Sequence, residues 1–162
     1  PRLGSGGRLQ RFRVEVEDGL GITPDDFAQA VDAVLGDSRS WTGAGDLSLQ
    51  RTDGSSYDFK PVRASPGTVD RRCAPLRTTG ILSCHGDGEV ILNHWRWLVG
   101  DDDFGSDIDL YRTYLVNHEV GHALGHDHVG CSEPGAPAPV MMQQTKSIGE
   151  CTPNGWPLDS ER

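Results

Sequence analysis

The sequence predicts an α+β fold in one domain. Three observations predict it: short stretches that alternate apolar and polar residues, two segments with helical apolar stripes and helix-start signals, and a proline-rich tail that resists regular structure. At 162 residues the chain has one-domain size and enough length to bury a core. Its 24 acidic residues outweigh 15 basic ones for a net charge of −9. With no basic run either, nucleic acid and anionic membrane surfaces are poor partners. No apolar run approaches the roughly 18 residues of a membrane span, and no signal peptide falls within the chain.

Residues 1–8 read as linker, and a leader or anchor is expected to have been removed ahead of them. Phe12, Val14 and Val16 then alternate with Arg13, Glu15 and Glu17, the period of a half-buried strand. A helix follows, with Thr23 as N-cap, Pro24 in its first turn, Asp26 completing a capping box, and Phe27, Ala30, Val31, Val34 and Leu35 as its stripe before Gly36. Leu47 and Leu49 mark a second strand and residues 57–63 a third, in which Pro61 points to an edge or a bulge.

Residues 64–80, rich in Pro, Gly, Arg and Thr, read as an excursion without an element. Two short strands are expected at residues 81–84 and 90–97, about a turn at 85–88. Trp95 and Trp97 are assigned to the core, and His85 and His94 to solvent or satisfied core positions. Residues 101–103 are three aspartates, read as a solvated loop; calcium is not supported, because Arg112 stands where an EF-hand loop needs its twelfth-position glutamate. Ser106 with Asp109 looks like the capping box of a long helix, whose inward face carries Tyr111, Leu115, His118 and His122. Beyond it, Pro134, Pro137, Pro139, Pro153 and Pro157 leave little room for regular structure.

The four cysteines, Cys73, Cys84, Cys131 and Cys151, show no C-x-x-C spacing and read as two disulfides of an exported protein. Of three connectivities the sequential one is favoured, because each bridge then closes a short loop. A bridge over about twenty residues stabilises by roughly 3 kcal/mol.

The chemistry concentrates in residues 117–128. His118 and His122 are four apart, so a helix sets them on one face a turn from each other, and Glu119 stands beside them as a carboxylate able to take a proton from water. A third ligand must come from His126 or His128. On a continuing helix His126 would lie roughly 12 Å from His118 along the axis, too far for ligands at about 2.0–2.1 Å from one zinc ion. The helix must therefore break at Gly125, which enters the left-handed conformation without a Cβ penalty, and His128 can then swing up to the ion.

The resulting H-E-x-x-H-x-x-G-x-x-H, carried by His118, Glu119, His122, Gly125 and His128, resembles the metzincin clan of zinc peptidases. That clan has a methionine in a tight turn beneath the metal. Met141 and Met142, the only methionines of the chain, stand about a dozen residues past His128, and Met141 is preferred as the floor. Many members place a tyrosine two residues after this Met; here Gln143 or Gln144 stands there. The motif, the cysteine after Val129-Gly130 and the run 139–145 are also similar to a family of actinobacterial, envelope-associated domains of unknown function, most closely over residues 111–157.

The resemblance implies a mixed twisted sheet packed on two helices over residues 9–125 and a small irregular lower half over 126–162. It implies one catalytic zinc on His118, His122 and His128, with Glu119 as general base and then acid. A peptide or protein substrate would add as a strand to the sheet edge near residues 81–84. The expectation is a secreted or envelope zinc endopeptidase acting as a monomer. Two other readings stay open: a non-catalytic, zinc-stabilised binding domain, against which the intact Glu119 argues, and a zinc amidase acting on cell-wall peptides.

Overall fold

The computed structural model describes residues 1–162. Seven strands form two mixed sheets. In the first, β1 (Arg2–Leu3) runs antiparallel and β2 (Arg8–Phe12) parallel to β4 (Leu47–Arg51). In the second the order is β3 (Glu15–Val16), β5 (Lys60–Ala64), β7 (Glu89–Asn93) and β6 (Cys84–Gly86), all parallel except the antiparallel edge strand β6. Phe12 also bridges Phe59, so the strand that starts in one sheet is continued in the other.

Strand alternation sorts the second sheet's side chains onto two faces. Val90 and Leu92 point into the main core with Phe27, Val31 and Leu35 of α1 (Pro24–Gly36) and Tyr111, Leu115 and Val116 of α4 (Ile108–Ala123). Val62, Ala64 and Ile91 point the other way, onto Val69 and Cys73 of α2 (Pro66–Cys73). A fourth helix, α3 (His94–Val99), follows β7 directly. The chain is thus α+β, as expected, with four helices rather than two. No helix is long and apolar enough to cross a membrane.

Several boundaries differ from the sequence reading, each for a local reason. Residues 1–8 are not free linker, because β1 pairs with β4. Pro61 lies in an interior strand; it is tolerated because β3 pairs only from Val62 onward. The excursion at 64–80 contains α2, disguised by Pro66 and Gly67 in its first turn. Its start is tied instead by Glu17, whose carboxylate accepts from Ser65 N (2.6 Å), Ser65 Oγ (3.1 Å) and Thr68 Oγ1 (2.9 Å). The expected strand at 90–97 ends at Asn93, whose side chain accepts from Trp95 N (2.9 Å) and Arg96 N (3.3 Å) and so starts α3. Trp97 is core, whereas Trp95 is exposed. The cap of α4 is Asp107, one residue after Ser106, accepting from Leu110 N at 3.0 Å. In the acidic loop Asp101 pairs with Arg96 (3.2 Å).

The sequential disulfides Cys73–Cys84 and Cys131–Cys151 are both present. The first joins α2 to β6, and the second ties the irregular tail, whose residues 124–162 contain no helix or named strand.

Candidate metal centre

Helix α4 places His118, Glu119 and His122 at the bottom of an open cavity of about 180 Å³. The helix ends with the two hydrogen bonds of a Schellman turn: His126 N donates to Gly121 O (2.9 Å) and Gly125 N to His122 O (3.0 Å), with Gly125 at φ +101°. This reversal separates the next two histidines. His126 turns under the helix and stacks on Trp41, ring centroids 4.3 Å apart. His128 returns to the cavity, its Nε2 2.8 Å from His122 Nε2.

The ring tautomers are set from behind. His118 Nδ1 lies 2.7 Å from Val140 O and His122 Nδ1 2.9 Å from His126 O; a carbonyl only accepts, so each Nδ1 carries the proton and each Nε2 offers a lone pair. The ligand atoms of His118, His122 and His128 all lie within 4.8 Å of one another. A tetrahedral ion with bonds of about 2.0–2.1 Å needs ligand atoms about 3.3 Å apart, so this donor set fits a zinc-sized cation with small ring movements. Burial holds His118 down to about 3 and His122 to about 4, and it lowers His128 as well.

Glu119 faces the same cavity with no donor or charge compensating it: burial alone pushes its carboxyl up to about 8. A cation on the neighbouring imidazoles acts in the opposite sense, so the carboxyl's state is coupled to the ion.

Beneath the imidazoles lies a turn at 139–142 in which Met141 is buried against Gly121, while Met142 is only partly buried. Three side chains fix that turn, two of them from far along the chain. Tyr114 of α4 donates to Met142 O (3.0 Å) and accepts from Gln144 N (2.9 Å). Glu161 accepts from Val140 N (2.9 Å) and Met141 N (2.8 Å). Buried Gln144 donates to Pro139 O (3.1 Å) and Asn154 O (2.8 Å). No short sequence pattern signals Tyr114 or Glu161.

The opposite wall differs from expectation. Residues 81–83 are not strand; the edge beside the cavity is β6, three residues on, with Leu82 and Ser83 leading into it. His85, assigned above to solvent or core, lies in the cavity with its ring stacked on His122 at 4.3 Å and 10°. Its neighbour in the sequence explains this: Cys84 faces α2 through its disulfide, so His85 must face α4. His94 lies elsewhere, accepting from Arg63 Nε at 3.0 Å.

A family model described as "Protein of unknown function (DUF3152)" matches residues 1–160. The chain belongs to the DUF3152 family. No curated protein matches it. The family description carries no activity, so function rests on the site.

Proposed function

We propose that this domain is an exported, metzincin-like zinc endopeptidase. The observation that carries the reading is the convergence of three imidazoles beside the buried carboxyl of Glu119, at the base of a cavity open to solvent. A purely structural site would fill its fourth position with protein and would have no use for such a carboxyl. The methionine floor beneath it and the antiparallel edge strand beside it support the clan resemblance, and two disulfides support an oxidising destination.

His118 and His122 would hold the ion through Nε2, since each Nδ1 is engaged by a carbonyl, and His128 would close the set from the returning loop. Zinc, when bound, supplies a Lewis acid that polarises a peptide carbonyl and lowers the pKa of water to about 7. Glu119 accepts the proton of the attacking water at a carboxylate oxygen, then delivers it to the leaving amine nitrogen as the C–N bond breaks. Leu82 and Leu115 give the cleft an apolar wall against which substrate excludes water.

The test is cleavage of a diverse peptide mixture by zinc-loaded protein, beside Glu119→Ala at equal zinc content, read by mass spectrometry. New termini that need Glu119 are expected. If neither protein cuts while both hold one zinc, the endopeptidase reading fails and cell-wall peptides become the substrate to try.

A further inference from the structure

His85 is one of the polar side chains of the cavity that the reaction above leaves unused, beside Ser83, Gln143, Thr145 and Lys146. It is pinned on both sides: β6 pairs it with Val90 of β7, and the preceding Cys84 is bridged to α2. A ring nitrogen of His85 lies within 4.8 Å of the ligand atoms of both Glu119 and His122.

Two roles fit that proximity, metal ligand or donor to substrate. Coordination by an imidazole lies in its ring plane. Because the His85 and His122 rings are parallel and 4.3 Å apart, His85 is displaced along the normal to the His122 plane. An ion in the plane of the His122 ring would therefore lie outside the plane of the His85 ring. His122 also has only Nε2 to give, and that atom already faces His128.

Three neighbouring donors are occupied; Gln143 and Lys146 also line the cavity, but from the irregular tail rather than from a paired strand. The Tyr114 hydroxyl spends its proton on Met142 O, the Tyr111 hydroxyl pairs with Thr145 Oγ1 at 3.0 Å, and the Gln144 amide is committed to Pro139 and Asn154.

Building on the peptidase reading, we propose that His85 is a further catalytic residue. Its ring N–H donates a hydrogen bond to the substrate carbonyl oxygen as that oxygen gains negative charge. No proton is transferred, so the contribution is a fixed dipole aimed at developing charge. The same placement puts the scissile carbonyl between β6 and the His118–His128 side of the site.

The test uses the full chain, zinc-loaded, as wild type, His85→Ala and His85→Gln. Five quantities are read: zinc affinity by chelator competition, the absorption spectrum of the cobalt-substituted protein, kcat and KM on a peptide that the wild type cleaves, and the affinity for a phosphinic peptide of the same sequence. For His85→Ala, zinc affinity and cobalt spectrum are expected to stay unchanged while kcat falls by about 10²–10³ and KM moves by less than about threefold. Phosphinic-peptide affinity should fall in step with kcat, and His85→Gln, which keeps a donor, should recover part of both. Lost zinc affinity or an altered cobalt spectrum would make His85 a ligand and overturn the proposal. A wild-type rate in His85→Ala, or a rise in KM alone, would overturn it too. In either case wild-type cleavage leaves the peptidase reading standing, whereas a wild type that cuts no peptide sinks that reading and this role with it.

Discussion

The Met141 thioether occupies the space where a side chain on Gly121 would stand, and Trp41 Cζ2 lies 2.7 Å from the same point. Gly121 sits between Glu119 and His122, so this is where the ligand helix rests on its floor. Ala is the better helix former by about 1 kcal/mol. Overpacking a tight core costs about 1–3 kcal/mol, and here both obstructing groups are buried, so sterics should win. Gly121→Ala is expected to lower the denaturant midpoint and to weaken zinc binding. A raised midpoint would mean that the floor retreats freely.

The two histidines after the helix should separate cleanly. His128→Ala removes a ring from the three-imidazole cluster and is expected to cut zinc affinity by more than the roughly 10–100-fold that a lost supporting hydrogen bond costs. His126→Ala leaves the cluster intact and should fall below that range, although its lost stacking on Trp41 costs some stability. The reverse order in a chelator titration would exchange their roles.

The bridge Cys131–Cys151 spans 20 residues, which in the chain-entropy account corresponds to about 3 kcal/mol. The double variant Cys131→Ser/Cys151→Ser should lose that much in urea unfolding. A loss well below about 1 kcal/mol would show that the tail is held mainly by Glu161, Gln144 and Asn154.

Glu17 predicts an acid-side signature. Its hydrogen bonds from Ser65 and Thr68, chiefly that from Ser65 N, hold its carboxyl below the ordinary range. A depressed folded pKa contributes stability that is complete above the unfolded value of about 4.3 and is lost as pH falls through the lower folded value. Glu17→Gln should therefore flatten the pH dependence of stability below about pH 4.3 and leave the neutral-pH slope alone. An unchanged acid limb would sink this account of how α2 starts.

What could be read from the sequence follows from how local each feature is. The spacing of His118, Glu119 and His122, the break at Gly125 and the split between His126 and His128 all arise within one helix and its exit, where periodicity and glycine chemistry decide. The capping of α1 by Thr23 is local in the same way. Helix α2 was hidden because only Val69 and Cys73 mark its inward face and its start depends on a glutamate 48 residues away. Helix α3 was hidden because Trp95, Trp97, Leu98 and Val99 also suit a strand, and only the Asn93 side chain decides the matter. His85 is exposed, one of the two placements the sequence allows, but that it lines the cavity is hidden because its direction follows from strand pairing and a disulfide, both tertiary facts.

The three imidazoles span only eleven residues of chain, His118 to His128, whereas the wall that faces them joins from 33 residues upstream, at His85. Closing a loop of about ten residues takes on the order of 10–100 ns, but the cleft requires the sheet to be complete. On the zinc reading proposed above, ion capture would be a short-range event in folding and cleft formation a long-range one. On gradual unfolding, the hold on the cation should outlast the shape that receives a substrate.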